Sequence, residues 1–163
     1  MTMNRHQHER IPNHPPTAHT TSPIDPENPA EQARLVNQAM FLRDCLGLFP
    51  PLVEPQEHWR VLDLACGPGI WAHEVAFAHP HMQILGVDLS QTLIASALLH
   101  ARLRNLGNLS FEVMDLMQPL PLPDASFDYV NARFLAGFMR PEAWGPLLQE
   151  LILSCILLSS MLR

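Results

Sequence analysis

Short apolar runs alternate along the chain with stretches whose apolar residues recur at helical spacing. The runs end at turn residues and predict four strands, over 60–65, 82–87, 109–113 and 127–132. The helical stretches predict one helix over 70–79 and another between Ser90, a suitable N-cap, and Gly107. This alternation predicts parallel strands joined by right-handed crossovers, and therefore an α/β fold with a doubly wound, mostly parallel sheet.

Two further segments lie before the first strand. Apolar residues on one stripe of 30–46 predict a helix that packs on the domain. Residues 1–29 contain six prolines among polar residues and almost no apolar ones, a composition typical of a disordered tail. The histidines of that tail lack the regular spacing and the Cys or carboxylate partners of a metal site, so no metal is predicted.

Composition narrows the class of protein. A chain of 163 residues with 47% hydrophobic and 16% charged residues predicts one globular domain. The formal charge of -6 and the lack of a basic run argue against a nucleic-acid partner. The longest apolar stretch, 151–162, is shorter than the ~20 residues of a membrane span. Because the few cysteines are widely scattered, a reducing compartment is favoured, and we expect a cytoplasmic protein without membrane association.

Candidate chemistry gathers at the carboxyl ends of the predicted strands, where ligands bind in open α/β sheets. The turn at Gly67 and Gly69 follows the first strand and opens a helix, and glycines let a ligand approach the backbone closely. Asp88 ends the next strand about twenty residues later. A carboxylate at that point can accept hydrogen bonds from both hydroxyls of a ribose, so the pattern predicts a ribose-containing ligand.

Two classes of cofactor fit that turn. Gly67, Gly69 and Ala72 satisfy the relaxed fingerprint of an NAD(P)-binding oxidoreductase. Asp63 discriminates between the classes, because a carboxylate at this strand end would repel a pyrophosphate and attract a cation. S-adenosylmethionine carries an ammonium group and a sulfonium but no phosphate, so Asp63 favours it. The oxidoreductase is the less favoured alternative.

The motifs resemble those of class I S-adenosylmethionine-dependent methyltransferases. Residues 61–69 resemble the glycine-rich motif of that family, and 86–90 resemble its ribose-binding strand end. The run 131–135 is most similar to the LaeA-like branch, and the resemblance covers roughly 30–150. It implies a Rossmann-like fold, S-adenosyl-L-methionine as cofactor and a small-molecule methyl acceptor.

The resemblance also implies roles for individual residues. Ala65 stands where many members have a glycine, and Met114 and Asp115 correspond to the adenine edge. Gln38 and Arg133 are assigned to the substrate or to a loop. No catalytic base is predicted, since methyl transfer depends chiefly on alignment in a dry site. The implied cofactor contacts are Asp63, Ala65, Gly67, Gly69, Asp88, Leu89, Met114, Asp115 and Asn131.

Two of these roles have structural alternatives. Asp115 can instead cap a loop. Asp63 can instead be a structural carboxylate that accepts hydrogen bonds from backbone amides. The sequence alone leaves both pairs of interpretations open.

The end of the chain departs from the family pattern. Family members continue from a helix like 144–150 into a further strand, whereas 151–163 is poor in polar residues and has no turn. We expect a sheet of about four strands, so 30–163 is interpreted as the N-terminal portion of a methyltransferase domain, truncated at its end. An exposed fourth-strand edge would then favour self-association. A noncatalytic cofactor-binding remnant is the alternative to an active enzyme.

Overall fold

The computed structural model of the protein describes residues 28–155 as four strands, four α-helices and two short 3₁₀ helices. The predicted tail up to residue 27 and the segment 156–163 lie outside the described residues. The elements are α1 (Pro29–Leu46), β1 (Arg60–Leu64), α2 (Ile70–Ala78), β2 (Gln83–Asp88), α3 (Gln91–Leu103), β3 (Leu109–Val113), β4 (Tyr129–Ala132) and α4 (Trp144–Ser154), with 3₁₀ helices Leu135–Gly137 and Pro141–Ala143 before α4.

The four strands form one parallel sheet in the order β3-β2-β1-β4. The chain runs outward from β1 to β3 and then crosses to the other side of β1, which places the switch point between β1 and β4. Helices α2 and α3 cover one apolar face, built on Val61, Ile84 and Phe111, while α4 covers the other. The predicted α/β, doubly wound fold is confirmed. No helix within residues 28–155 is both long and apolar enough to cross a membrane.

Local signals set the starts of the helices. The Ser90 hydroxyl accepts a hydrogen bond from the Leu93 amide at 3.2 Å and so caps α3 as predicted. Helix α1 begins at Pro29, one residue earlier than predicted, because the Asn28 side chain accepts from the Ala30 amide at 2.9 Å. Asn28 is therefore the N-cap of α1, and Pro29 is its first residue.

The segment after Glu150 begins as a continuation of α4. Helix α4 continues to Ser154, because Leu147 and Leu151 lie four residues apart and are both buried against the sheet. The Ser154 carbonyl accepts from the Ser126 and Phe127 amides at 2.8 and 3.0 Å. The helix thus includes the first four residues of the apolar segment that departs from the family pattern.

Cys155 lies beside the segment that leads into β4. It forms an isolated parallel bridge with Phe127, whereas the strand itself begins at Tyr129, two residues later than predicted. Within residues 28–155, β4 itself pairs only with β1. Self-association through the outer edge of β4 stays a prediction.

The ring of Phe111 occupies the space beside two glycines. A Cβ on Gly86 would lie 2.5 Å from Phe111 Cδ1, and one on Gly69 would lie 2.6 Å from Phe111 Cζ. Both distances are far below van der Waals contact, so neither position admits a side chain while the ring stays in place. The sequence predicts a ligand contact at Gly69 and no separate role for Gly86.

We expect Gly86→Ala to lower the free energy of unfolding by about 1–3 kcal/mol, the usual cost of overpacking a core. Urea unfolding measures the change. In a Phe111→Leu background the same substitution should cost markedly less, because the clashing ring is gone. Gly107→Ala is the control, since no atom lies within 4 Å of its Cβ position. Equal costs in both backgrounds would contradict the ring as the cause.

Candidate functional site

The turn between β1 and α2 contains three residues in the left-handed backbone region. Ala65, Gly67 and Gly69 have φ of 51°, 55° and 72°. Gly69 is the N-cap of α2 and packs under Phe111, so the fold itself requires a glycine there. A Cβ on Gly67 would meet no atom within 4 Å. The turn therefore leaves open space beside Gly67.

Asp88 holds the turn from the end of β2. Its Oδ2 accepts from the Gly67 amide at 2.8 Å, and its Oδ1 accepts from the Ser90 amide at 2.9 Å. Burial raises the pKa of Asp88, and the two amide hydrogen bonds act against that rise. Each carboxylate oxygen has further lone-pair capacity, so Asp88 can support the turn and still accept from ligand hydroxyls.

A chain of hydrogen bonds joins Asp63 to the exit of β4. Asp63 and Asn131 are register partners on adjacent strands, and Asn131 Nδ2 donates to Asp63 Oδ1 at 2.6 Å. Arg133 Nε donates in turn to Asn131 Oδ1 at 3.1 Å. Asp63 is thus held by a side-chain amide, and no hydrogen bond from a backbone amide to its carboxylate is seen within residues 28–155.

Burial dominates the electrostatics of Asp63. The residue is 3% exposed, and desolvation raises its pKa to about 7. The Asn131 hydrogen bond and the charge of Arg133 lower the pKa but do not offset burial, and the nearby Asp88 raises it further. A cation in the adjoining cavity would stabilise the ionised form.

Hydrogen bonds and a salt bridge at and just after the C-terminal end of α1 hold this helix against the turn. The Leu48 carbonyl accepts from Trp71 Nε1 at 2.7 Å and from Arg133 Nη2 at 3.2 Å. A salt bridge of 2.7 Å joins Arg43 of α1 to Glu74 of α2. Neither Leu48 nor Trp71 is among the site residues that the sequence predicts. A tryptophan two residues after the glycine turn is an available signal for Trp71, whereas the sequence carries no signal for the role of a backbone carbonyl.

A cavity of about 90 Å³ lies between α1, the turn and the exit of β4. Small-molecule sites usually occupy roughly 300–1,000 Å³, so a cofactor-sized ligand must extend out of this cavity or displace α1. Gln38, which accepts from Arg34 Nη1 at 3.1 Å, faces it from α1. The predicted site residues that line the cavity are Gln38, Asp63, Ala65, Gly67, Asn131 and Arg133.

Five predicted contacts lie outside the cavity: Gly69 and Asp88, described above, and the following three at the ends of β2 and β3. Leu89 is 45% exposed. Met114 is buried in the core, and its amide donates to the Asp88 carbonyl at 3.0 Å. Asp115 Oδ1 accepts from the Met117 amide at 2.9 Å, so the loop-capping role is present. The cofactor roles of these three residues stay predictions.

Phe134 lines the same cavity and was not singled out from the sequence. Its φ of 62° is unusual for a bulky residue, and its side chain is 51% exposed. Strain of this kind concentrates at functional sites. No sequence signal was available, because nothing about a phenylalanine indicates a left-handed backbone.

Comparison with known proteins identifies the family. The family model described as methyltransferase domain matches residues 61–154, more than half of the chain. Demethylmenaquinone methyltransferase of Geobacillus kaustophilus is 38% identical over 48% of this chain and 34% of its own length. Secondary metabolism regulator LAE1 of Cochliobolus heterostrophus is 31% identical over 69% of this chain and 34% of its own. The chain thus spans about a third of the length of these curated relatives.

A solved structure extends the similarity to the fold. PKMT2 from Rickettsia typhi in complex with AdoHcy superposes with a TM-score of 0.56 at 28% identity, over 71% of this chain and 22% of that one. The matched residues 61–154 include the glycine turn, Asp88 and the Asp63–Asn131 pair. The family match favours the methyltransferase over the dinucleotide-binding alternative that the turn alone left open. The chain belongs to the methyltransferase domain family, and with it to the class I S-adenosylmethionine-dependent methyltransferases.

Proposed function

We propose that this protein binds S-adenosylmethionine at the carboxyl ends of β1, β2 and β3 and transfers its methyl group to a small molecule. The buried carboxylate of Asp63 carries the proposal, because it adjoins a cavity beside the glycine turn and suits a cationic ligand. Demethylmenaquinone methyltransferase, named for a small-molecule acceptor, is among the relatives.

The charges around the cavity complement the amino-acid end of the cofactor. The ammonium group suits the Asp63 side, and the carboxylate suits Arg133, whose guanidinium is half-buried and has no carboxylate partner among residues 28–155. In this proposal Asp88 accepts from the ribose hydroxyls. Asp115, which follows β3, accepts from the adenine amine.

When bound, S-adenosylmethionine supplies an electrophilic methyl group on its sulfonium. This chain contributes alignment and exclusion of water, the two requirements of an in-line displacement. Helix α1, Trp71 and Phe134 line the cavity together with the turn. Asn131 and Arg133 lie at the exit of β4 and fix the wall beside Asp63.

Calorimetry with S-adenosylmethionine, its demethylated product and NAD tests the proposal on the full chain. The first two should bind, and NAD should bind more weakly, because Asp63 opposes a pyrophosphate near the turn. Tighter binding of NAD than of both other ligands would overturn the assignment.

We expect Asp88→Ala to weaken cofactor binding by about 1–3 kcal/mol, the usual cost of leaving buried hydrogen-bonding groups unpaired. The substitution also frees the Gly67 amide, so a thermal melt accompanies the titration. Asp124→Ala, in an exposed loop, is the control. Cofactor affinity that is the same in both variants would remove Asp88 from the site.

Cofactor binding without turnover is the second candidate, and the small cavity under a fastened α1 favours it. A methyl-transfer assay on a broad panel of acceptors separates the two functions, because binding without product formation would identify the second.

The cysteines within residues 28–155 are unpaired, which fits a reducing compartment, and we place the protein in the cytoplasm on that basis.

A further inference from the structure

A second and larger concavity lies on the outer surface of the helical layer. This groove, formed by α1, α2 and α3, has a volume of about 420 Å³, within the usual range for small-molecule sites. Helix α1 separates it from the cavity at the glycine turn, and Ile70 lines both. The groove is therefore distinct from the proposed cofactor site.

Of the two arginines that line the groove, one has no carboxylate partner among residues 28–155. Arg43 forms salt bridges with Glu74 at 2.7 Å and with Asp44, which does not line the groove, at 2.8 Å. Arg104 lines the groove and forms no salt bridge within the described part of the chain. Its guanidinium lies 5.5 Å from the ring centroid of Phe77. In a protein with a formal charge of -6, Arg104 is an uncompensated cation at the edge of a concave surface.

Two histidines, His73 and His100, also line the groove. Both ring nitrogens of His73 lie at backbone carbonyls, Nδ1 at 2.6 Å from Gly69 and Nε2 at 3.0 Å from Ala97, so this ring forms a wall. His100 lies beside it, with ring centroids 6.2 Å apart. Within residues 28–155 no such carbonyl contact occupies the nitrogens of His100, which leaves it able to donate to an acceptor in the groove.

The remaining lining is apolar. Met40 and Leu103 face the groove and are 42% and 70% exposed, which is a large exposure for such side chains. An apolar ligand body would cover both. The groove thus combines apolar walls with one arginine that has no carboxylate partner among residues 28–155 and with two histidines, of which His100 can donate.

We propose that this groove binds a small organic anion with an apolar body and a single carboxylate, which pairs with Arg104 and His100. A guanidinium recognises a carboxylate through paired N–H donors. One carboxylate suffices, because Arg43 is already paired with Glu74 and with Asp44.

Octanoate is the probe, titrated into the full ¹⁵N-labelled chain below its micelle-forming concentration. Saturable shifts are expected at amides of the C-terminal turn of α3. Octan-1-ol, of equal length but uncharged, should bind at least about tenfold more weakly, because it lacks the charge-assisted hydrogen bonds. No saturable shift up to about 10 mM octanoate, equal binding of the alcohol, or shifts confined to the glycine turn would each overturn the proposal.

The octanoate affinities of substituted proteins test where the carboxylate binds. Arg104→Met should weaken octanoate binding about tenfold or more, and His100→Gln should weaken it to a smaller extent. Arg102→Met is the matched control on the same helix, since Arg102 is exposed and does not line the groove. A loss of affinity as large in Arg102→Met as in Arg104→Met would overturn the assignment. Because Arg104 also lies over the ring of Phe77, a thermal melt checks that Arg104→Met still folds. If Arg104→Met is unfolded, the affinity of His100→Gln for octanoate decides the question.

Discussion

Asp63→Asn is expected to stabilise the unliganded protein at pH 8 by on the order of 4 kcal/mol relative to the parent chain. The cause is the burial of Asp63, which raises its pKa from 3.8 to about 7. In the unfolded chain the carboxyl ionises near its ordinary value, whereas in the folded protein it keeps its proton until the pH approaches 7. An asparagine preserves the shape and the acceptor for Asn131 but never ionises.

The sign follows from the protons bound in each state. Between about pH 4 and 7 the folded state holds one proton more than the unfolded state at this site, so the stability of the parent chain falls as the pH rises. The decrease is about 1.4 kcal/mol per pH unit and is complete above pH 7. Urea unfolding of both proteins at pH 5, 6, 7 and 8 measures it. Parallel stability curves for the two proteins would show that Asp63 does not carry this cost.

The same substitution should weaken binding of S-adenosylmethionine about tenfold at pH 8, because the neutral amide no longer attracts the ammonium group. A stability gain paired with a loss of binding is the expected behaviour of a residue kept for function. If the variant gains stability and binds the cofactor as well as the parent chain, Asp63 is a structural carboxylate and the proposed orientation of the ligand is wrong.

Gly67→Val is expected to abolish cofactor binding, with an affinity loss of at least about a hundredfold. Two effects combine at this position. The φ of 55° lies in the left-handed region, where a β-branched residue costs on the order of 1–3 kcal/mol. In addition, the side chain would enter the open space beside the turn, where no protein atom lies within 4 Å of the Cβ position.

Gly67→Asn separates the two effects, because asparagine tolerates a left-handed backbone but still fills the space. If the space belongs to the ligand, both variants lose binding while only valine greatly lowers the melting temperature. Gly107→Val, at a glycine with open space and no left-handed backbone, serves as the control. Calorimetry and thermal melts on the three variants give the answer. Normal cofactor affinity in Gly67→Asn would place the ligand elsewhere.

Local sequence signals determined most of the order of strands and helices, and the part of the site that lies at the ends of β1 and β2. Strands β1 to β3 and helices α2 and α3 follow from apolar periodicity and turn residues, which act over a few neighbouring positions. Asp63, Gly67 and Asp88 were expected to converge, because the carboxyl ends of adjacent parallel strands meet at one edge. The hydrogen bond between Asp88 and Gly67, 21 residues apart, realises that convergence.

Tertiary packing decided the remaining features, which are contacts between elements far apart in the sequence. The contact of Phe111 with Gly69 and Gly86 depends on how neighbouring strands and α2 stack, so no local pattern encodes it. The position of α1 depends on the Leu48 carbonyl, which accepts from side chains 23 and 85 residues away. The extension of α4 rests on burial against the sheet, and the groove at Arg104 exists only where three helices meet. Periodicity specifies which face of an element is apolar, but the angles and distances between elements arise from the packing of all of them together.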